Sequence, residues 1–589
     1  MGAVFGLIGE GDLAAVRDMG SRMAHRGRNA RAWSPAQGVY FGERCSSAEF
    51  SGDRDLLALD QSIYGINAPE GRESAPRAGL RRICEAGDFA ALGTIRGTFA
   101  FAFWDEQLCA LWLAVDHLAY KSMYFCRLPG RLAFASEYKA FFALPDFQPE
   151  IDPVAIQYHQ AVRIAMPWRP SLANVQMVRS GSVVRFEGAR NYSESYWVPR
   201  VNESERPIEE SARLVKQQLS RTIEAQTRCS EHVGISLSGG IDSAIIAGCT
   251  REVKEAGQVA AYSVGFAESD PELLGARQVA DYLGIEHDVT IFDAEDIRKY
   301  LPEMVWLMED CTAREETLLH LKMFQSAAGK ESVILHGVGA DLLFGGMPRH
   351  KLIAMSMRLP ALRQPLLELY QLTQSGRPPG GLLGRALAWA VYRGSNLEPP
   401  RIGSIANSTV VNEPSDLNQY LADSAANMSS VHYTEPMAEQ GEFDFRAPFL
   451  DPDAVELALS IPLDQKAGWR KQKLVLRKAF EGLLPQHVTK RPKTIHRLQH
   501  DVLLSEALDS MVVDTQGLSH IRERNLVDPQ YIARLQRRQR GTSYVTDHLY
   551  RLWTLVSLEI WLRQFADGGG QYWDFEGRSA RSSHANSIS

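Results

Sequence analysis

The stretch Ser236 to Ala244, "SLSGGIDSA", decides the reading of this chain. Before and into it runs "HVGISLS" (232–238), a short apolar run that reads as a buried strand, and "AIIAGCTREV" (244–253) after it reads as a helix. Between them Gly239 and Gly240 let the backbone turn tightly and present bare N–H groups. The helix beginning near Asp242 and Ser243 adds the positive end of its dipole. Strand, Ser-Gly-Gly-x-Asp-Ser and helix together predict a cradle for an anion of pyrophosphate size. Asp242 is out of place beside phosphates unless it holds a cation, so Mg²⁺ is implied. A Gly-Gly pair alone reads as an ordinary strand–helix turn; the full motif after a strand favours function.

Downstream, "VAAYSVGF" (259–266) and "ARQVADYLG" (276–284) continue the alternation of buried strand and helix, which predicts a parallel α/β sheet. A helix-rich part follows, interrupted by the loop-like "SGRPPGG" (375–381). Upstream, Ile208, Ala212, Val215, Leu219 and Ile223 recur at three- and four-residue steps, one face of an amphipathic helix starting near Pro207. Before that lies a polar linker, "PRVNESERP" (199–207). Before the linker come short aromatic and β-branched runs, "GVYFG", "TFAFAFWD", "ALWLAVD" and "RLAFAS", which predict an antiparallel sandwich. The expected division is 1–200, 207–568, and a disordered tail over 569–589 that ends in "RSARSSHANSIS".

A chain of 589 residues exceeds one ordinary core, in keeping with two domains. The net charge of −7 gives no reason to expect a nucleic-acid partner. No apolar run is long enough for a membrane span, and no secretory signal is read. The seven cysteines are scattered without zinc-ligand spacing, so a reducing, cytoplasmic setting is expected.

The Ser-Gly-Gly-x-Asp-Ser loop resembles the pyrophosphate loop of the adenylate-forming N-type ATP pyrophosphatases, and the chain is most similar to the asparagine synthetase and β-lactam synthetase superfamily. Further stretches match that superfamily in order: "YSVGFAESD" (262–270), "VILHGVGADLLFGG" (333–346), "RAPFLDPDAVELALSIP" (446–462), "KLVLRKAF" (473–480) and "LLPQHVTKRPK" (483–493). In the first half "HRGRNA" (25–30), "RGTFAFAFWD" (96–105), "DHLAYKSMYF" (116–125) and "FASEYKA" (134–140) match as well. The resemblance implies a degenerate Ntn-amidotransferase-like αββα sandwich followed by an adenine nucleotide α-hydrolase-like parallel α/β domain with a helical C-terminal part. It also implies ATP and Mg²⁺ as cofactors. By the same resemblance Leu237, Ser238, Gly239, Gly240, Asp242, Ser243, Val264, His336, Gly337 and Lys473 contact ATP or pyrophosphate. Asp242 and Asp341 hold the metal, and Lys493 stands where the family's lysine stabilises the transition states. Taken alone, Lys493 reads as a solvated lysine beside Lys490 and Arg491.

The departures from the family are informative. Its glutamine-hydrolysing members begin Met-Cys-Gly-Ile-Phe-Gly, and here Gly2 stands at the cysteine, ahead of Phe5-Gly6. Glycine carries no nucleophile, so a thioester from glutamine cannot form. In "ALDQSIYGI" (58–66), Asp60-Gln61-Ser62 replaces the glutamine-binding Asn-Gly-Glu. Val338 replaces a glutamate in the metal loop. His336 could act there as a base, although a ring that packs while its backbone lines the pocket is the preferred reading. In "LPEMVWLMEDCTAREE" (301–316), Glu309 and Asp310 read as a solvated helix end rather than a catalytic cluster.

The expected activity is ATP-dependent activation of a carboxylate with release of pyrophosphate, followed by attack of an amine. The lost ammonia supply favours an intramolecular amide, as in a lasso peptide cyclase. Its expected partners are a peptide or amino acid bearing carboxylate and amine, a precursor peptide and a leader peptidase. The alternatives are a β-lactam synthetase acting on a small amino acid, an ammonia-using asparagine synthetase, and a silent scaffold. Glycines 380, 381 and 384, within a loop-like 375–410 region, suggest a wide or movable rim.

Overall fold

The computed structural model describes residues 2–46, 55–65, 76–162, 166–311, 315–347, 350, 421–422, 429–468, 471–485, 488, 501–538 and 545–576. The 375–410 region, with its three glycines, lies outside them, as does Lys493.

The first half folds as two antiparallel sheets, with strands numbered in chain order. One sheet runs β2 (Asn29–Ala36), β3 (Val39–Cys45), β1 (Gly2–Gly9), β8 (Arg131–Ala135), β7 (Tyr124–Leu128), β9 (Gln176–Met177). The other runs β11 (Arg190–Ser195), β10 (Ser182–Glu187), β6 (Ala110–Val115), β5 (Arg96–Asp105), β4 (Leu57–Gly65). Helices α1 (Leu13–Ser21), α2 (Pro76–Ala86) and α3 (Pro153–Val162) accompany them.

The period-2 alternation of strands explains the layering. On β5, Ala100 and Ala102 face the other sheet, where they pack with Val4, Phe41 and Phe134. Phe99, Phe101 and Phe103, one residue out of phase, pack with Leu80 and Cys84 of α2. On β1, Val4 points into the sandwich and Phe5 points to Val16 and Met19 of α1. Both faces of β1 and β5 are therefore apolar, and their outer faces are covered by α1 and α2.

The second half holds a five-stranded parallel sheet, β14 (Glu286–Ile291), β13 (Val259–Gly265), β12 (Val233–Ser236), β15 (Val333–Leu335), β16 (Asp444–Arg446). The amphipathic helix is α4 (Ile208–Thr227), and it buries Ala212, Val215, Leu219 and Ile223. Helices α5 (Ile241–Val253) and α6 (Pro271–Leu283) connect β12 to β13 and β13 to β14; α7 (Ala294–Met308), α8 (Glu315–Ala327) and α9 (Ala340–Leu343) follow. The chain builds outward from β12 to β14, then returns to place β15 on the other side of β12. The strand order thus reverses between β12 and β15, the position at which open α/β sheets hold ligands beyond the carboxyl ends of their strands.

Two expectations change. Glu309 and Asp310 are not solvated: they are 2% and 7% exposed, at the C-terminal end of α7 against the sandwich. Glu309 accepts the backbone N–H groups of Tyr138 (2.7 Å) and Lys139 (2.5 Å), and Asp310 accepts from Ser171 at 3.3 Å. Burial pushes their carboxyls up, to about 8 and about 7. Of the tail expected to be disordered over 569–589, Gly569 to Glu576 are described and packed. Trp573 and Phe575 pack against the core, and the Gly570 carbonyl accepts from Arg22 at 2.7 Å. Aromatic burial holds this segment, where composition alone suggested a polar end. Among the described residues no helix is long and apolar enough to cross a membrane.

Candidate functional site

The Ser238–Ser243 loop leaves β12 at the topological switch point. Gly239 adopts φ +65°, and a Cβ there would stand 2.6 Å from Gly275 C and Ala276 N of α6, so only glycine lets the loop lie against that helix. Gly240 ends the loop in extended backbone and starts α5. Ser243 Oγ accepts the Ser238 N–H at 3.1 Å and lies 3.3 Å from the Gly240 carbonyl, closing the loop on itself. Ser238 and Gly240 stay exposed at its mouth. Leu237 is buried, its N–H donating to Tyr262 O at 2.9 Å. Val264 lies near the C-terminal end of the adjacent β13, level with this crevice.

The second loop leaves β15. A Cβ on Gly337 would come within 2.9 Å of the Ser243 nitrogen, so the two loops touch through bare backbone. His336 is half-buried, and its Nδ1 accepts the Val338 N–H at 2.9 Å. Its ring lies edge-on to His320, with centroids 5.0 Å apart. Burial, with His320 acting in the same direction, pushes its pKa down to about 3. So weakly basic an imidazole, with its Nδ1 engaged in holding the loop, does not suit a catalytic base.

Asp242, in the first turn of α5, and Asp341, in the first turn of α9, converge on one cation. Lys473 Nζ lies 2.7 and 2.5 Å from the two Asp242 oxygens and 2.6 Å from Asp341 Oδ1. Burial works against the charge on this lysine, and the two carboxylates overcome it, holding its pKa above the ordinary value. Lys473 is itself in left-handed backbone, φ +57°, at the start of the helix Leu474–Ala479. Two carboxylates arranged about a positive charge are a hard-oxygen donor set that fits Mg²⁺. Lys493 lies outside the described residues.

The segments of the first half that resemble the glutaminase site come together elsewhere, and charge fills the space between them. Arg26, fully buried, donates from Nε to Glu137 (2.5 Å), from Nη2 to Glu435 (3.0 Å) and from Nη1 to the Gly2 carbonyl (3.2 Å). Lys121 Nζ lies 2.5 Å from Glu435 and 3.3 Å from Asp60. Lys139 Nζ lies 2.6 Å from Glu137, and His25 Nε2 lies 2.9 Å from it. Burial works to raise the Glu137 pKa, but His25, Lys139 and Arg26 overcome it and hold it well below the usual range. Glu435, on the helix Ser429–Gln440, ties this cluster to the parallel-sheet domain. Sequence reasoning missed the cluster. Its signal was present as charged residues within otherwise apolar runs, in "DHLAYKSMYF" and "FASEYKA".

Gly2 has no room for a side chain. A Cβ there would meet the Arg44 carbonyl at 2.6 Å and Asp60 Oδ1 at 3.2 Å. A side chain at this position would have to displace the strand or Asp60. Gly2→Cys is expected to release no more glutamate from glutamine than the parent chain in a coupled dehydrogenase assay; enzyme-dependent glutamate from the variant would refute the closed-pocket reading.

Residues 214–563 match the family described as asparagine synthase, and residues 80–197 match the glutamine amidotransferase domain. A putative glutamine-hydrolyzing asparagine synthetase of Mycobacterium tuberculosis is 26% identical over 520 residues, covering 81% of this chain and 78% of that protein. The glutamine-hydrolyzing asparagine synthetase 1 of Bacillus subtilis is 24% identical over 614 aligned residues, 93% of each chain. The carboxyethyl-arginine beta-lactam-synthase of Streptomyces clavuligerus is 26% identical over 432 residues, 72% of this chain and 68% of that one.

Proposed function

The chain belongs to the asparagine synthase family, whose members are ATP-dependent, AMP-forming carbon–nitrogen ligases, and on that premise we propose that it closes an intramolecular amide, as a lasso peptide cyclase does. The observation that carries this reading is a pair. The nucleotide crevice keeps its Ser-Gly-Gly-x-Asp-Ser loop and both aspartates, while the glutamine pocket has lost its nucleophile and is filled by side chains. An enzyme that activates a carboxylate without making its own ammonia needs an amine from elsewhere, and the substrate's own amine is the simplest source.

In this reading the substrate carboxylate attacks the α-phosphorus of ATP, giving an acyl adenylate and pyrophosphate. The Ser238–Ser243 loop receives the departing pyrophosphate with backbone N–H groups at the start of α5. Leu237 and Val264 shape the adenine side of the crevice. Asp242 and Asp341 would hold Mg²⁺, which neutralises charge on the phosphates. Lys473 stands beside them with a cation for the phosphate chain, and Lys493 is assigned the donor role toward the transition states. The amine then attacks the adenylate carbonyl and AMP leaves. His336 and Gly337 keep the second loop in place; neither moves a proton. A peptide substrate implies a precursor peptide and a leader peptidase as partners.

The β-lactam-synthase relative supports a second reading, in which the substrate is a small amino acid. One assay covers both. Purified protein with ATP and Mg²⁺ is offered linear peptides carrying an internal Asp or Glu, or small β-amino acids. AMP and pyrophosphate are followed by chromatography, and product by loss of one water in the mass spectrum. Peptide-dependent pyrophosphate with a dehydrated peptide is the expected result, with Lys493→Ala lowering kcat and kcat/KM together by about 10²–10³. ADP as the main product, or dehydration confined to the small amino acids, would overturn the cyclase reading.

A further inference from the structure

The arrangement of Lys473 bears on how the metal enters, an inference that rests on reading Asp242 and Asp341 as metal-holding residues. The lysine is 4% exposed and spans both carboxylates with three contacts of 2.5–2.7 Å. It reaches them across a close backbone approach at Gly346, where a Cβ would stand 2.3 Å from Lys473 Cε and 2.0 Å from Asp341 Oδ1. Gly346 N–H in turn donates to the Asp341 carbonyl at 2.8 Å. The lysine's backbone is held by Arg477 N–H donating to the Lys473 carbonyl at 3.0 Å. The ammonium is therefore built into the site from both sides rather than resting there on a free stem.

A divalent ion arriving alone meets this fixed positive charge at the oxygens it needs. Like charges a few ångströms apart in a poorly solvated site repel strongly. Displacing the ammonium leaves it buried without an anion, which is costlier still. A nucleotide changes both terms: its phosphates supply a new anion for the lysine and further oxygens for the metal. We propose that Lys473 makes metal binding at Asp242 and Asp341 conditional on the nucleotide, so that Mg²⁺ is accepted with ATP and rejected alone. Asp242 and Asp341 then stay close together around one ammonium between turnovers, without taking up a free metal ion. Lys473 is thus a gate on the metal site as well as a phosphate contact.

The test reads metal binding directly. Mn²⁺ is titrated into nucleotide-free protein, and the free ion is followed by electron paramagnetic resonance. The parent chain is expected to show only weak binding. Lys473→Met and Lys473→Gln are each expected to gain one site at least about tenfold tighter, the scale of removing one adjacent like charge. In the double variant Lys473→Met with Asp341→Asn, that gained site is expected to disappear. Circular dichroism melts establish that each variant is folded; two chemically different replacements keep the test independent of either one's folding. Parent protein that binds Mn²⁺ as tightly as both variants would overturn the gate while leaving the metal reading intact. A gained site that survives Asp341→Asn would overturn the metal reading, and the gate with it.

Discussion

Replacing Arg26 by methionine is expected to destabilise the protein by about 3–5 kcal/mol, the scale of removing one partner from a buried ionic cluster. The guanidinium is completely enclosed and serves Glu137, Glu435 and the Gly2 carbonyl at once. Methionine fills much of the volume but returns none of these bonds. Glu137 keeps Lys139 and Glu435 keeps Lys121, so the cluster is weakened rather than left without any cation. The internal comparison is Arg28. It also joins the two halves, through Glu442 at 2.6 Å, but its side chain is 65% exposed. Arg28→Ala is expected to change stability by only about 0–1 kcal/mol. Chemical denaturation of both variants, monitored by tryptophan fluorescence and circular dichroism, checks the pair of values; equal, small effects would show that the buried cluster holds nothing together.

The second large effect concerns chemistry. Asp242→Asn is expected to lower turnover by about a hundredfold or more, because a metal-holding carboxylate loses its charge at the centre of the crevice. Asparagine retains the shape and can stay in the first turn of α5. Lys473 retains Asp341 at 2.6 Å, so the fold keeps its neighbouring ion pair. Stability is accordingly expected to move by less than about 1 kcal/mol, as for substitutions away from a buried core. Pyrophosphate release measured alongside thermal melting separates the two terms. A variant with near-parental turnover would make the loop an ordinary strand–helix turn.

Much of this was legible in the residues themselves. The strand–glycine–helix reading of 232–253, the amphipathic face of α4 and the alternating strands of the sandwich are short-range patterns, set by side-chain periodicity and by the φ freedom of glycine. The loss of the glutaminase nucleophile was equally plain, since Gly2 has no side chain. Glu309 and Asp310 were misread for a local reason. Their charge argued for water, and nothing nearby in the chain showed that the backbone N–H groups of Tyr138 and Lys139 would take its place.

By itself, then, the sequence determined the order of sandwich and parallel sheet, the position of the Ser-Gly-Gly-x-Asp-Ser loop and the glycine at position 2. Each depends on residues within a few positions of one another, where propensity and pattern act directly. Only the tertiary structure decided that Lys473 crosses 231 positions of chain to stand between Asp242 and Asp341, and that Arg26, Lys121, Glu137 and Glu435 fill the old pocket with paired charge. Such pairings follow from the packing of sheets and helices and from the high cost of leaving a buried charge alone. That cost is settled only by what the fold brings within about 4 Å, which no local pattern encodes.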